Sequence, residues 1–226
     1  MVTLPETILE VRDLRKSYFV AQREIPVLRG TNLRISGGEF LAIMGPSGCG
    51  KSTLLFHMGA MMRPTSGTVT IGGQDLSRLG DSALTRLRRE RIGFVFQRFN
   101  LLPALDAEAN VRLALAIRGR PHADGVGEIL SQMGLEDKRR HRPNELSIGE
   151  QQRVAIARAI IHGPDILLAD EPTGNLDSDN AAQILSLFRA LNRERGQTIV
   201  MITHNKDAAA LADRIVQMKD GLILNT

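Results

Sequence analysis

The sequence predicts an α/β protein built on a mostly parallel sheet, with a small antiparallel sheet near the N-terminus and a helical segment inserted mid-chain. Three observations predict it. Phe40–Met44, Ile166–Ala169 and Thr198–Thr203 are short, nearly continuous apolar runs, each followed by a turn or polar break. Runs of that length and uniformity suit strands buried on both faces, as in a parallel sheet. Helical patterns lie between them, and strands alternating with helices stack as α/β layers with right-handed crossovers.

The elements follow in chain order. Ile8–Val11, Leu33–Ile35 and Thr68–Ile71 are short strand candidates separated by turn residues such as Gly37-Gly38 and Gly72-Gly73, which predicts the antiparallel sheet. Ser52–Met62 reads as a helix. From about Asn110 to Ile161 the pattern is mostly helical, broken at Gly119-Arg120-Pro121 and at His141-Arg142-Pro143. Ala181–Arg195 places Ile184, Leu185, Phe188 and Leu191 at helical spacing. No internal repeat or low-complexity tract interrupts this order.

Composition bounds the function. The 226 residues are 42% hydrophobic and 24% charged, which disfavours disordered, collagen-like and disulfide-stapled classes. The formal charge of +4 fits an anionic ligand without demanding nucleic acid. One cysteine, Cys49, excludes an intrachain disulfide framework and favours a reducing compartment. No stretch approaches the roughly 18 apolar residues of a membrane span. Residues 1–11 carry Glu6 and Glu10 and lack a basic start and an apolar core, so no secretion signal is expected. A cytoplasmic single domain over 1–226 is the expectation.

Gly45-Pro46-Ser47-Gly48-Cys49-Gly50-Lys51-Ser52 fits G-x-x-x-x-G-K-[ST], the Walker A phosphate loop. Glycines let successive backbone N–H groups turn inward around phosphate oxygens, where side chains would obstruct. Lys51 is placed to reach the β- and γ-phosphates, and the Ser52 hydroxyl to ligate Mg²⁺. The helix after the loop points its N-terminal dipole at the same charge. A strand before the loop and a helix after it supply the context the motif requires, and the fold expected is that of a P-loop NTPase (RecA-like). Cys49 reads as a small space-filler inside the loop.

Ile166–Asp170 ends in two carboxylates. An Asp at such a strand end holds Mg²⁺ in P-loop proteins, which assigns Asp170. Glu171, one residue later, points elsewhere and is placed to orient or deprotonate the attacking water. His204 closes the strand Thr198–Thr203. In a parallel sheet with ligands at its carboxyl edge, it falls near the γ-phosphate. Asn205-Lys206-Asp207 is one residue short of the N-K-x-D of GTPases, and no D-x-x-G follows a strand in the expected order, so guanine specificity is disfavoured.

Leu146-Ser147-Ile148-Gly149-Glu150 contains the capping box S-x-x-E, which opens a helix running to about Ile161 before Gly163-Pro164. Local structure alone accounts for that pattern. The same helix start, with Gly149 admitting close approach, also suits a second phosphate-binding surface. Spacing does not choose between the two.

In order along the chain, these motifs resemble the nucleotide-binding subunits of ATP-binding cassette (ABC) transporters over essentially the whole length. Gly45–Ser52 is similar to Walker A, and Gln97 in Phe94-Val95-Phe96-Gln97 to the Q-loop. Leu146–Glu150 is similar to the signature motif, Asp170 and Glu171 to Walker B, Asn175-Leu176-Asp177 to the D-loop, and His204 to the switch histidine. Tyr18, the only tyrosine, falls where the family has its adenine-stacking aromatic. The resemblance implies an ATPase with ATP and Mg²⁺. Its ATP contacts would be Tyr18, Gly45, Pro46, Ser47, Gly48, Cys49, Gly50, Lys51, Ser52, Thr53, Ser147, Gly149 and Glu150. Its metal contacts would be Ser52, Gln97 and Asp170, its catalytic residues Glu171, His204 and Gln97, and its dimer contacts Asn175 and Asp177.

The resemblance also implies a head-to-tail homodimer, each ATP lying between Walker A of one copy and Ser147 and Gly149 of the other. The core with its β subdomain would span about 1–96 and 162–226, and the helical subdomain about 97–161. Phe94–Pro103, Ala169–Asp177 and Ile25–Gly30 are similar to the lipoprotein-releasing and macrolide-exporter branch. Members of that branch sit on the cytoplasmic face of the inner membrane and work with transmembrane permease subunits of the FtsX/MacB-like type. Two departures stand: Ile148 replaces the first Gly of the usual L-S-G-G-Q, and Ala107-Glu108-Ala109-Asn110-Val111 lacks the Glu that commonly precedes Asn-Val. An alternative is a soluble ABC-type ATPase acting on nucleic acid or ribosomes, favoured by Arg86–Arg91 and Lys138-Arg139-Arg140. With no Trp and one Tyr the chain lacks a stacking platform for single strands, so no specific nucleic-acid partner is expected.

Overall fold

The computed structural model describes residues 6–224 except 22 and 123. Residues 1–5, on which the expected absence of a leader partly rests, lie outside the described residues. The strands are β1 (Thr7–Val20), β2 (Arg23–Ser36), β3 (Phe40–Met44), β4 (Ser66–Ile71), β5 (Gln74–Asp75), β6 (Ile92–Val95), β7 (Ile166–Asp170), β8 (Thr198–Ile202), β9 (Arg214–Lys219) and β10 (Leu222–Ile223). The helices are α1 (Lys51–Met58), α2 (Asp81–Arg91), α3 (Ala107–Ile117), α4 (Val126–Gln132), α5 (Ile148–Ile160), α6 (Ser178–Arg195) and α7 (Lys206–Ala209). No helix among the described residues is long and apolar enough to cross a membrane.

Two sheets form, in the order β2-β1-β4-β5 and β10-β9-β3-β8-β7-β6. The first is antiparallel. In the second, β9, β3, β8, β7 and β6 all run parallel, and only β10 reverses. Successive side chains of the central strands point to opposite faces, and both faces are buried. Leu41, Ile43, Val200 and Ile202 join Leu9, Val11 and Ile35 of the antiparallel sheet in one core. Phe40, Leu167, Ile199 and Met201 face the other way, against Val154 of α5 and Ile184 and Phe188 of α6. That is why the central runs show no polar alternation.

The antiparallel sheet is larger than the sequence predicts. The apolar stretches Ile8–Val11 and Leu33–Ile35 are segments of two 14-residue strands, which also bury Leu14, Leu28 and Thr31. Beyond Arg15 the β1–β2 ribbon is largely exposed, and its register shifts between Val11 and Leu14 with Asp13 at φ +41°. Local hydrophobicity therefore goes silent while the backbone pairing continues.

Helix α1 stops at Met58, short of the predicted Met62. The end is a Schellman motif: Ala60 N–H donates to His57 O (3.0 Å) and Met61 N–H to Phe56 O (2.9 Å). The left-handed position is held by Ala60 (φ +54°), a residue that gives no sequence signal for a helix end. Helix α6 instead begins three residues earlier than predicted, capped by the Asp177 carboxylate accepting from the Asn180 N–H.

Candidate functional site

Because five strands run parallel, the residues following their carboxyl ends gather at one edge of the sheet. That edge receives the loop after β3, Gln97 after β6, Asp170 and Glu171 at the end of β7, and Thr203-His204 after β8. Open α/β sheets place their ligands along such an edge.

The loop between β3 and α1 is built for close approach. Gly48 and Gly50 stand at φ +78° and +103°, and a Cβ on Gly45 would lie 2.1 Å from Met218 O. Side chains are barred there for steric reasons, which leaves backbone N–H groups to face an anion. Helix α1 has no side-chain N-cap and no acidic residue in its first turn, so its N-terminal amides stay available. Lys51 is only 8% exposed, and its ammonium donates to Gly45 O (2.8 Å) and Pro46 O (2.9 Å). Cys49 is buried within the loop, where its sulfur fills space beside Gly45.

Two side-chain pairs stand next to the loop. Ser52 Oγ, on the first turn of α1, donates to Asp170 Oδ1 at 3.2 Å. Burial pushes the Asp170 carboxyl above the ordinary carboxylate range, the hydroxyl bond offsets this in part, and the neighbouring Glu171 charge adds to it. One residue on, Glu171 adopts φ +47°, a left-handed conformation uncommon for a non-glycine residue. Its amide is tied to Ile202 O at 3.0 Å. That turn swings its carboxylate away from Asp170 toward β8, where His204 Nδ1–H donates to Glu171 Oε2 at 2.9 Å. With a carboxylate as acceptor, the proton sits on Nδ1, and the imidazole is oriented by the bond.

Gln97 joins this edge from β6. Its backbone carbonyl accepts from Asn175 Nδ2 at 3.0 Å, and its carboxamide lies close enough to Gly174 that a Cβ there would come within 3.3 Å of Nε2. Thus Gln97 and Asn175, matched to different motifs, are in direct contact.

Ser147, Gly149 and Glu150 form a separate constellation at the start of α5. Both halves of the predicted capping box are present: Glu150 N–H donates to Ser147 Oγ (3.2 Å) and Ser147 N–H to Glu150 Oε2 (2.7 Å). The Ser147 N–H holds the Glu150 carboxyl below its ordinary range. Ile148 is in the first helical turn and is not among the described residues with positive φ, so a β-branched side chain is unstrained there. It points outward and is 52% exposed. No hydrogen bond among the described residues joins Ser147 or Glu150 to the phosphate loop of the same chain. Asp177 caps α6.

Tyr18 lies on the exposed part of the β1–β2 ribbon, paired with Ile25, and is 36% exposed. Lys16 stands 5.3 Å from its ring centroid, and its hydroxyl meets Met62 Sδ at 3.5 Å. The same ribbon reaches the phosphate loop at Val27, whose carbonyl would sit 3.0 Å from a Cβ on Gly50. The tyrosine is therefore on the loop's side of the molecule and not in the core.

Sequence reasoning missed the residues that bind these parts together. Gln152, fully buried in α5, donates to Pro172 O at 2.7 Å. Asn180 of α6 packs on Gly149, where a Cβ would come within 2.0 Å of Asn180 Oδ1. Arg158 of α5 donates to Phe99 O and Asn100 O. The available signal in α5 was Gln152 and Arg158 standing four residues from Ile156 and Val154 on apolar faces; Asn180 on α6 gave none.

Known proteins place this geometry in a family. The ABC transporter family model matches residues 28–174. The lipoprotein-releasing system ATP-binding protein LolD of Geobacter metallireducens is 47% identical over 221 residues, covering 96% of this chain and 98% of that protein. The macrolide export ATP-binding/permease protein MacB of Syntrophobacter fumaroxidans is 46% identical over 221 residues, but the chain spans only 31% of its length. Among solved structures, the dimeric post-hydrolysis state of the ATP-binding cassette MJ0796 bound to ADP and Pi superposes with a TM-score of 0.89 at 43% identity, covering 96% of this chain and 97% of that one. Extended similarity at these identities, together with the matched fold and edge geometry, establishes that the chain belongs to the ABC transporter family.

Proposed function

We propose that this chain is the ATP-binding and ATP-hydrolysing subunit of an ABC exporter, acting as a homodimer whose closure on ATP drives a separate transmembrane permease. The observation that carries the proposal is the pair of contacts beside the phosphate loop: Ser52–Asp170 at 3.2 Å and Glu171–His204 at 2.9 Å. A nucleotide-binding role without turnover would not need the second pair.

The residues present fit both ATP and a divalent cation. The glycine loop offers backbone donors that no Cβ obstructs, and Lys51 adds a charge already aimed along the loop. Asp170 is a half-buried carboxylate whose ionised form is disfavoured by its surroundings, with one hydroxyl as hydrogen-bond partner, so a cation beside it relieves an existing electrostatic cost. Ser52 and Asp170 would hold Mg²⁺, with Gln97 reaching the site from β6. When bound, the ion neutralises charge on the phosphates. On substrate binding the Lys51 ammonium exchanges loop carbonyls for phosphate oxygens. Glu171 orients the attacking water and accepts its proton. His204 fixes the position of that carboxylate. Tyr18 stacks on adenine, a contact of about 1–3 kcal/mol in nucleic-acid analogues.

The second copy completes the site. Ser147, Gly149 and Glu150 make no hydrogen bond to their own phosphate loop among the described residues, and Ile148 presents an exposed apolar side chain beside them. A helix N-terminus so placed suits a γ-phosphate brought by another copy. Asn175 and Asp177 would lie along that contact. The chain folds as one nucleotide-binding domain, the helical part at about 97–161 and the core with its β subdomain at about 1–96 and 162–226. The LolD and MacB relatives point to lipoprotein, lipid or drug extrusion through FtsX/MacB-like permease subunits, with this chain peripheral on the cytoplasmic face of the membrane.

Glu171→Gln tests the assignment. The amide keeps an acceptor for His204 but cannot take a proton. Hydrolysis should fall by about 10²–10⁴, the usual worth of a general base, and gel filtration with ATP should show a stable dimer. A variant that stays monomeric with ATP and hydrolyses at the normal rate would sink the proposal.

A further inference from the structure

The α5 helix carries an arginine, Arg158, whose guanidinium has no carboxylate partner among the described residues. Burial alone accounts for the lowering of the Arg158 pKa; no neighbouring charge opposes it. Its bonds go to two consecutive backbone carbonyls: Nη1 donates to Asn100 O at 2.7 Å and Nη2 to Phe99 O at 2.8 Å. Keeping a cation largely out of water for two neutral acceptors is costly, so the arrangement calls for a compensating role. The carbonyls belong to the loop between β6 and α3, immediately beyond Gln97. Asn100 turns the chain there at φ +49°, a left-handed conformation that asparagine tolerates and β-branched residues do not.

The loop is tied at three places. Asn175 Nδ2 holds Gln97 O at 3.0 Å. Arg158 holds residues 99 and 100. The buried Asn110 side chain holds Leu102, Leu105 and Asp106 through bonds of 2.8–3.1 Å. Only the middle tie comes from the helix that begins at Ser147. Eleven residues separate Ser147 from Arg158, about 16 Å of continuous helix at 1.5 Å per residue. A displacement at the Ser147 end is carried to residues 99–100 as a rigid body.

We propose that Arg158 is a positioning residue that sets Gln97 through the 99–100 turn, so that the placement of the α5 N-terminus is read out at the Gln97 side chain. This rests on the role given above to Gln97. A planar fork holds two adjacent carbonyls in fixed directions, whereas lysine, with freely rotating donors on a flexible stem, fixes the direction of neither. Arg158 bonds to backbone carbonyls of residues 99 and 100 and to none of the residues given ATP or metal contacts above.

The test uses the full-length chain and the variant Arg158→Lys. With Walker A untouched, KM for ATP should stay within about twofold while kcat falls about tenfold. Amide hydrogen exchange in residues 97–102 should accelerate at least about tenfold, with β7 and α1 unchanged. Adding Arg158→Lys to Gln97→Ala should cost less than about a further twofold, because Arg158 acts only through the side chain already removed. Unchanged exchange in 97–102, or losses that simply multiply, overturns the proposal and leaves the Gln97 assignment intact. Wild-type hydrolysis in Gln97→Ala alone overturns that assignment and this proposal with it. If Arg158→Lys fails to fold, Asn100→Val distorts the turn from its exposed side, since a β-branched residue rejects positive φ. It should show the same kcat loss and faster exchange, and wild-type kcat in that variant overturns the proposal equally.

Discussion

Replacing Gly149 by alanine separates two reasons for a glycine at the start of α5. An alanine Cβ would lie 2.0 Å from Asn180 Oδ1, 2.6 Å from Asn180 Cγ and 3.2 Å from Asn180 Cβ. Rotating the Asn180 side chain removes the first two contacts but breaks its 2.8 Å bond to Asp177 Oδ2, a loss of about 0.5–1.5 kcal/mol. The third contact remains, and parting the two backbones adds a strain of about 1–3 kcal/mol. Alanine's better helix propensity offsets at most about 1 kcal/mol. The net is a destabilisation of about 0.5–3.5 kcal/mol, centred near 2, or a Tm lower by about 1–14 °C for a domain of this size. Thermal unfolding of Gly149→Ala, Asn180→Ala and the double variant measures it. In the Asn180→Ala background the penalty should shrink by about 1 kcal/mol, because Oδ1 and Cγ are gone while the Cβ contact stays. Hydrolysis should stay low in the double variant, since its Cβ still obstructs the backbone at the proposed nucleotide contact. Equal penalties in both backgrounds, or none in either, would refute the packing argument. Recovery of hydrolysis together with stability would refute the contact.

Two further outcomes concern titrating groups. The Asp170 carboxyl titrates above its ordinary 3.8 in the folded chain, so the stability linked to its protonation is full below that value and is lost as pH rises through the raised one. Asp170→Asn removes the ionisation, so it should raise Tm at pH 7 more than at pH 4 in nucleotide-free protein. Its Mg²⁺-dependent hydrolysis should fall at least about tenfold, or about 1.4 kcal/mol of barrier; a Tm that drops equally at both pH values contradicts the electrostatic account. His162 behaves oppositely. Burial and the nearby Arg118 charge lower its pKa to about 4, and Nδ1 is buried without an acceptor. Stability linked to it is present above 6.5 and lost as pH falls toward 4. His162→Gln should flatten the fall of Tm across that interval, and an unaltered acid slope in circular dichroism melts counts against it.

Most of the candidate site's local geometry was legible because its motifs are local. The Walker A loop is eight consecutive residues on a strand–turn–helix, and its glycines announce a backbone that side chains would block. The capping box spans four residues, and its bonds at Ser147 and Glu150 match the reading made from spacing alone. The apolar runs of β3, β7 and β8 were legible because both faces of those strands are buried. Strands β6 and β9 were not. The first has four residues including Gly93, and the second alternates buried Val216 and Met218 with exposed Ile215 and Gln217, which reads as an ordinary surface segment.

Sequence by itself determined the chemistry on offer: a phosphate-binding loop, paired carboxylates at a strand end, a histidine after another strand, and a capped helix start. Each is encoded by hydrogen bonds and steric limits that reach no farther than one turn or one loop. The tertiary structure alone decided which of these meet. Strand order puts His204 beside Glu171 across 33 residues of chain. Packing of α5 and α6 makes Gly149 a seat for Asn180, and the approach of α5 to the loop after β6 gives Arg158 its two carbonyls. Those contacts depend on how faces pack and how strands order in space, which local sequence pattern does not specify.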